Sequence, residues 1–155
     1  GGYGGEVFAV NPKYGGQTLR VGERDVAFLA SAADLPDPDG GKAAVEMAVV
    51  MTPSRSVAAL METLGAKGVK AAVIVSSGFE ELGAEGRALA EQAHAAADRY
   101  GIRVVGPNCI GVLNGDPAVR LNATFAQESP KRGRAGILSQ SGAVGIDLLN
   151  RAERA

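Results

Sequence analysis

The chain has 155 residues, 46% of them hydrophobic and 21% charged, which is enough apolar mass for a hydrophobic core and excludes disordered and fibrous classes. A formal net charge of −1, with acidic and basic residues interspersed, leaves no electrostatic footprint for a long polyanion, so no nucleic acid partner is expected and any bound anion should be small. The single cysteine, Cys109, excludes an intrachain disulfide, and without a run of about 20 apolar residues no membrane partner is expected and the expected location is cytoplasmic.

The opening Gly1-Gly2-Tyr3-Gly4-Gly5 runs directly into a strand-like segment, and the final Asn150-Arg151-Ala152-Glu153-Arg154-Ala155 stops within a helical pattern, so both ends read as internal cuts. Glu6 to Val10 is a short β-branched and aromatic run ended by Asn11-Pro12-Lys13, and it is predicted as a strand. Gln17 to Val21 is a candidate edge strand, and Ser31 to Leu35 a candidate helical turn closed by Pro36-Asp37-Pro38-Asp39-Gly40-Gly41. Val45 to Met51, apolar except for Glu46, reads as a buried strand ending at Thr52-Pro53. Val57, Leu60, Met61 and Leu64 then share one helix face, with Gly65 suited to the left-handed position past its end.

The period returns to strand over Lys70 to Val75, closed by Ser76-Ser77-Gly78, and Glu80 and Glu81 begin the next helix. There Leu89, Ala93, Ala96 and Tyr100 recur at helical spacing before Gly101. Ile102 to Val105 is a further strand, ended by Gly106-Pro107-Asn108-Cys109. Apolar strands alternating with helices predict a doubly wound parallel α/β sheet covered on both faces. Ile110 to Arg134 lacks periodicity and reads as a linker, with Asn114-Gly115-Asp116-Pro117 and Pro130-Lys131-Arg132-Gly133-Arg134 as its markers. Ala135 to Leu138 is expected to open a new strand, which Ser139-Gln140-Ser141-Gly142 turns into a helix carrying Val144, Leu148 and Ala152 on one face.

In an open parallel sheet, ligands bind beyond the carboxyl ends of the strands, where helix N-termini and free backbone N–H groups converge. The polar loops fall at those ends: Asn11-Pro12-Lys13, Thr52-Pro53, Ser76-Ser77-Gly78 and Gly106-Pro107-Asn108. They suit a nucleotide-like ligand, although such residues also simply turn the chain in any α/β domain. The N-terminal glycines precede a strand and are therefore not a dinucleotide fingerprint, which follows one. Ser139 to Ala143 lies on a strand-to-helix turn fit to hold an anion at the positive end of a helix. The same turn resembles a degraded nucleophile elbow, but no histidine follows it, and Ser141 also suits a simple N-cap. His94, in mid-helix, reads as a surface residue, and Cys109, lacking a neighbouring base, as a packing residue. The carboxylates of Glu80 and Glu81 are accounted for by the helix dipole, and 131–134 by a solvated connection.

Taken in order, Val10-Asn11-Pro12-Lys13, Ala33-Asp34-Leu35-Pro36, Thr52-Pro53, Ser76-Ser77-Gly78-Phe79, Arg103 to Val112, Leu121-Asn122-Ala123-Thr124-Phe125 and Leu138 to Ala143 resemble the ADP-forming acetate–CoA ligase family. The succinyl-CoA synthetase α-subunit is a more distant relative. The resemblance implies a CoA-binding Rossmann-like domain over 1–116 lacking its first strand and Gly-rich loop, a linker over 117–134, and the first strand and helix of a flavodoxin-like ligase domain over 135–155. It implies a reaction that joins a small carboxylic acid to CoA at the expense of ATP, through an acyl phosphate and a phosphohistidine. The implied cofactors are CoA, bound here, and ATP or ADP with Mg2+ on an ATP-grasp domain or β-subunit, within an oligomeric enzyme.

By matching position, Lys13 would approach a CoA phosphate, while Thr52, Pro53, Val75, Ser76, Ser77 and Asn108 would line the CoA site. Ser139, Gln140, Ser141, Gly142 and Ala143 would receive the phosphoryl group. No catalytic residue and no metal ligand is expected within these residues, the phosphohistidine falling beyond Ala155, and the full reaction is not expected from this chain alone. The Asp37 to Lys42 stretch lengthens a loop that is tighter in the family. A CoA-sensing module fused to an acetyltransferase and a generic NAD-binding Rossmann domain are the competing readings. The latter needs an acidic residue near the place held by Lys13. The missing first strand would leave a gap between the 6–10 and 45–51 strands and a marginally stable fold.

Overall fold

The computed structural model describes residues 3–40, 44–127 and 132–154. Gly1, Gly2, Gly41, Lys42, Pro130, Lys131 and Ala155, on which some sequence expectations rest, lie outside the described residues. Three sheets organise the rest. The first combines β1 (Ala9–Val10), β2 (Thr18–Val21) and β3 (Arg24–Leu29) in the order β1-β3-β2. β1 runs parallel to β3, with Ala9 opposite Phe28 and Val10 opposite Leu29, and β2 pairs antiparallel from Thr18↔Ala27 to Val21↔Arg24.

β3 was not anticipated from sequence. Its signal is local: Gly22 at φ 61 and Glu23 form a two-residue hairpin turn with glycine first, the arrangement that matches strand twist. The 6–10 strand is shorter than expected, being laddered only over Ala9–Val10.

The helical turn expected at Ser31 to Leu35 is a 3-10 turn over Ala32–Asp34. Ser31 accepts from Ala33 N–H at 3.2 Å, and Asp34 accepts from Ser31 N–H at 3.0 Å, a reciprocal capping box. The second sheet is fully parallel, with β4 (Met47–Val50), β5 (Ala71–Ile74) and β6 (Arg103–Val105) in that order. It is linked by α1 (Ser54–Ala66) and α2 (Ala84–Arg99).

Val50, Ala72 and Ile74 of the sheet meet Val57, Met61 and Leu64 of α1 and Ala90, Ala93 and Ala97 of α2 in one core. Phe8 and Leu29 pack against the same core, which ties the first sheet to the second. Burial of large side chains such as Phe79 and Met61, both 0% exposed, stabilises this core by about 1.5–3 kcal/mol each. The opposite face carries Val49 and Val105, about 40% exposed, so the expected helical cover is met on one face among the described residues.

Gly65 does not end α1. It lies inside the helix, where an added Cβ would stand 2.2 Å from the Tyr100 ring, so glycine there permits the close crossing of α1 and the end of α2. The left-handed residue past the helix end is Gly68 at φ 79, and the following Val69 N–H bonds back to Leu64 O at 3.1 Å. Likewise Glu80 and Glu81 open a separate 3-10 turn, Glu80–Leu82, before α2 starts at Ala84.

The aperiodic 110–134 segment also needs correction. Within it β7 (Gly111–Asn114) and β8 (Leu121–Thr124) form an antiparallel hairpin, so the proposed linker 117–134 includes a strand. Asp116 closes the hairpin loop by accepting Ala118 N–H at 2.9 Å through its carboxylate and Arg120 N–H at 2.7 Å through its carbonyl. Ala135 to Leu138 is not a strand. It has no ladder partner among the described residues, and Leu138 is fully exposed. The final helix, α3 (Gly142–Arg154), follows as expected.

A gap was expected between the 6–10 and 45–51 strands. β1 and β4 are edge strands of separate sheets, and no ladder joins them among the described residues.

Candidate functional site

The carboxyl ends of β4, β5 and β6 bring three of the predicted loops together. Val75 N–H donates to Val50 O at 3.0 Å, the Ser76 hydroxyl donates to the same carbonyl at 3.4 Å, and Asn108 N–H donates to Ser76 O at 3.0 Å. Thus Val75 and Ser76 are fixed to the strand before Thr52, and Asn108 is fixed to Ser76. Asn108 itself has φ 53, a left-handed conformation that asparagine tolerates better than most residues. It follows a cis Gly106–Pro107 bond. The Cys109 thiol donates to Ile74 O at 3.3 Å, so the packing role expected for it extends to tying this turn to β5.

Thr52 and Pro53 lead into α1, and both are exposed. Pro53 occupies the N-cap and supplies no side-chain acceptor, although its carbonyl accepts both the Ser56 N–H at 2.9 Å and the Ser56 hydroxyl at 2.7 Å. The first N–H groups of α1 therefore lack a capping side chain and add the positive end of the helix to the site. Gly78 lies against this end: a Cβ there would come 2.7 Å from Ser54 Oγ. Ser77 is exposed between the two.

Lys13 is carried by the other sheet. Its backbone N–H donates to the Asn11 side chain at 3.0 Å, which forms the turn after β1, and its ammonium stands 5.4 Å from the Tyr14 ring centre. Tyr14 in turn meets Phe28 edge-on at 5.9 Å. A cleft of about 370 Å³ beside β1 and β3, lined by residues including Glu6, Val7, Arg24 and Asp25, contains none of the predicted site residues.

The Ser139 to Ala143 turn begins α3. Ser139 Oγ accepts Ser141 N–H at 3.1 Å and donates to Ser141 O at 2.9 Å, while Ser141 Oγ accepts Val144 N–H at 3.4 Å, as an N-cap would. Gln140 and Ala143 are exposed. The helix rests on Ile110: Cβ atoms at Gly142 and Gly145 would lie 2.9 and 3.0 Å from its side chain. This contact sets the turn beside the chain segment that leaves Asn108 and Cys109.

Two anchors escaped the sequence reading. Phe79 is wholly buried and pins the loop after β5 into the core. Glu81 Oε1 accepts Gly78 N–H at 2.5 Å, and this N–H, together with those of Glu81 and Phe79, holds the Glu81 carboxyl below its ordinary range against a smaller opposing effect of burial. The i to i+3 spacing of Gly78 and Glu81 was the available signal. His94 lies exposed on α2, remote in sequence from every one of these loops. Among the described residues no three His, Cys, Asp or Glu side chains are grouped as a metal site, and no helix is long and apolar enough to cross a membrane.

A parallel β-α-β layer with polar loops gathered at its strand ends defines a nucleotide-type ligand-binding domain of the Rossmann-like class. Residues 2–115 match the family model for the CoA binding domain, and the chain belongs to that family. It is 36% identical to acetate–CoA ligase (ADP-forming) I of Archaeoglobus fulgidus over 98% of this chain and 20% of that protein. It is 40% identical to the alpha subunit of acetate–CoA ligase (ADP-forming) I of Pyrococcus furiosus over 96% of this chain and 30% of that subunit. Among solved structures, dinucleotide-forming acetyl-coenzyme A synthetase 1 of Ca. Korarchaeum cryptofilum superposes with a TM-score of 0.71 at 36% identity, covering 97% of this chain and 29% of that one. That enzyme has also been solved with phosphate and ADP. The chain thus spans between a fifth and a third of the length of these relatives.

Proposed function

We propose that the chain binds CoA across the carboxyl ends of β4, β5 and β6 as part of an ADP-forming acyl-CoA ligase. The observation that carries this reading is the uncapped start of α1 set against the Ser76-Ser77-Gly78 loop, in a chain of the CoA-binding domain family. The residues suit the ligand: the α1 amides and the Ser77 hydroxyl are donors for phosphate and amide oxygens, and glycine at 78 allows close approach. Thr52, Pro53, Val75 and Asn108 would line the site, and Lys13 would meet a CoA phosphate from the other sheet. CoA supplies the thiol that takes up the acyl group.

The Ser139 to Ala143 turn is proposed to receive a phosphoryl group at the start of α3, where amides and hydroxyls stabilise charge on its oxygens. The remaining chemistry rests on parts that residues 1–155 do not contain: a phosphohistidine, and ATP or ADP with Mg2+ on an ATP-grasp domain or β-subunit. The acid would be a small carboxylate, the intact enzyme an oligomer, and its setting the cytoplasm, where CoA and ATP are available. We divide the chain into a CoA-binding unit and a ligase unit starting at 135, with the β7–β8 hairpin assigned to the first and the connection correspondingly shorter.

Calorimetric titration of CoA and NAD side by side tests the reading. CoA should bind more tightly, and Lys13→Ala should weaken it by about tenfold or more, the scale of one charge-assisted bond. Tighter binding of NAD sinks the proposal. The 155-residue chain alone should form no acyl-CoA from acetate, ATP and CoA.

A further inference from the structure

Building on the CoA reading, we propose that Glu81 is a positioning residue that fixes the Ser76-Ser77-Gly78-Phe79 loop in the form that receives CoA. The loop is held at its two ends by unrelated means. Ser76 O accepts the Asn108 N–H at 3.0 Å, and the Phe79 side chain is 0% exposed in the core. Between them Gly78 has φ 97, a conformation that glycine adopts freely. The acceptor it meets is Glu81 Oε1, at 2.5 Å.

A reading of Glu81 as one more acid at a helix start does not account for this geometry. The turn it belongs to is only Glu80–Leu82, too short for an appreciable dipole. Glu80 has the same charge in the same turn and no side-chain hydrogen bond among the described residues, whereas Glu81 reaches back three residues to the loop. Glu81 is also not in an ion pair with any described cation, so its charge is directed to backbone N–H groups rather than to a basic partner. The lowered ionisation range of its carboxyl agrees with that geometry.

The consequence for the ligand is a division of donors. Glu81 occupies the N–H of Gly78 and Val50 O takes the Ser76 hydroxyl, so the donors left to CoA are the Ser77 hydroxyl and the first amides of α1. Gly78 must stay tight against Ser54, since a Cβ there would already stand 2.7 Å from Ser54 Oγ. A loop released at Gly78 would swing Ser77 away from the start of α1.

Glu81→Gln and Glu81→Ala in the full-length protein, read by amide hydrogen exchange and by CoA titration, test the proposal. Glu81→Ala should speed exchange at Gly78 by about tenfold or more and raise the Kd for CoA by a similar factor. Glu81→Gln, which keeps an acceptor oxygen, should fall between it and wild type. Exchange in β5 and α1 should stay unchanged and the thermal midpoint fall only slightly, whereas a merely structural role would lower the midpoint without moving the Kd for CoA. Unchanged exchange at Gly78, or unchanged CoA affinity despite faster exchange, overturns the positioning role. Failure of the wild-type protein to bind CoA would instead overturn the CoA reading, and the exchange result separates the two failures.

Discussion

At the residue scale, Glu81 and Gly86 make the sharpest demands. Because the Gly78, Glu81 and Phe79 N–H groups favour the ionised form of Glu81 in the folded chain and so lower its pKa, its contribution is fully present above the unfolded value of 4.5 and is lost as pH falls through the lower folded value. A titration of the Gly78 amide resonance should therefore have its midpoint below 4.5, and a midpoint at or above that value would refute the hydrogen bond as the cause. Gly86 lies on the inner face of α2, where a Cβ would stand 1.6 Å from the backbone oxygen of Phe79. The obstacle is main chain, so it cannot rotate aside. Gly86→Ala should cost about 1–3 kcal/mol or more by overpacking, read by chemical denaturation, and a variant as stable as wild type would show that α2 and the Phe79 turn are not so close.

At the scale of elements, the chain was most legible where one period ran long enough to be counted. The α1 face of Val57, Met61 and Leu64 took the form its spacing dictated, and the apolar run before Thr52-Pro53 formed a strand, though an edge strand with only Val50 buried rather than the buried strand expected. The two antiparallel hairpins were not anticipated for opposite reasons. In β3, Arg24-Asp25-Val26-Ala27-Phe28-Leu29 places two charges at its start, which hid a strand that the Gly22-Glu23 turn nonetheless announces. In β7 and β8, four-residue strands separated by a loop held by Asp116 were too short to show a period at all. Ala135 to Leu138 failed in the other direction. Its residues favour a strand, but propensity without a neighbouring ladder leaves backbone groups better served by water. Of the candidate site, the strand-end loops were legible because parallel sheets always gather them, and Glu81 left only its i to i+3 spacing from Gly78 as a signal, whereas Phe79 and Ile110 act through tertiary contacts that no local pattern encodes.

At the scale of the whole molecule, two sheets share a core without sharing a ladder. β5 is flanked on both sides and its Ala72, Val73 and Ile74 are buried, whereas every residue of β2 is exposed. Native-state hydrogen exchange should accordingly protect β5 by roughly two orders of magnitude more than the β2–β3 hairpin. Equal protection would mean that the sheets unfold as one unit and would remove the basis for expecting a marginal fold. The same division has a further consequence at β4. Its free edge presents Met47-Ala48-Val49-Val50, apolar throughout, with the Val49 side chain partly open to solvent and Met51 beyond it more so. Such an edge invites strands from other molecules, and natural sheets discourage this with charge, proline or cover. Here Glu46 and Pro53 stand to either side as gatekeepers, and the strand residues 47–50 between them form an edge open to such pairing.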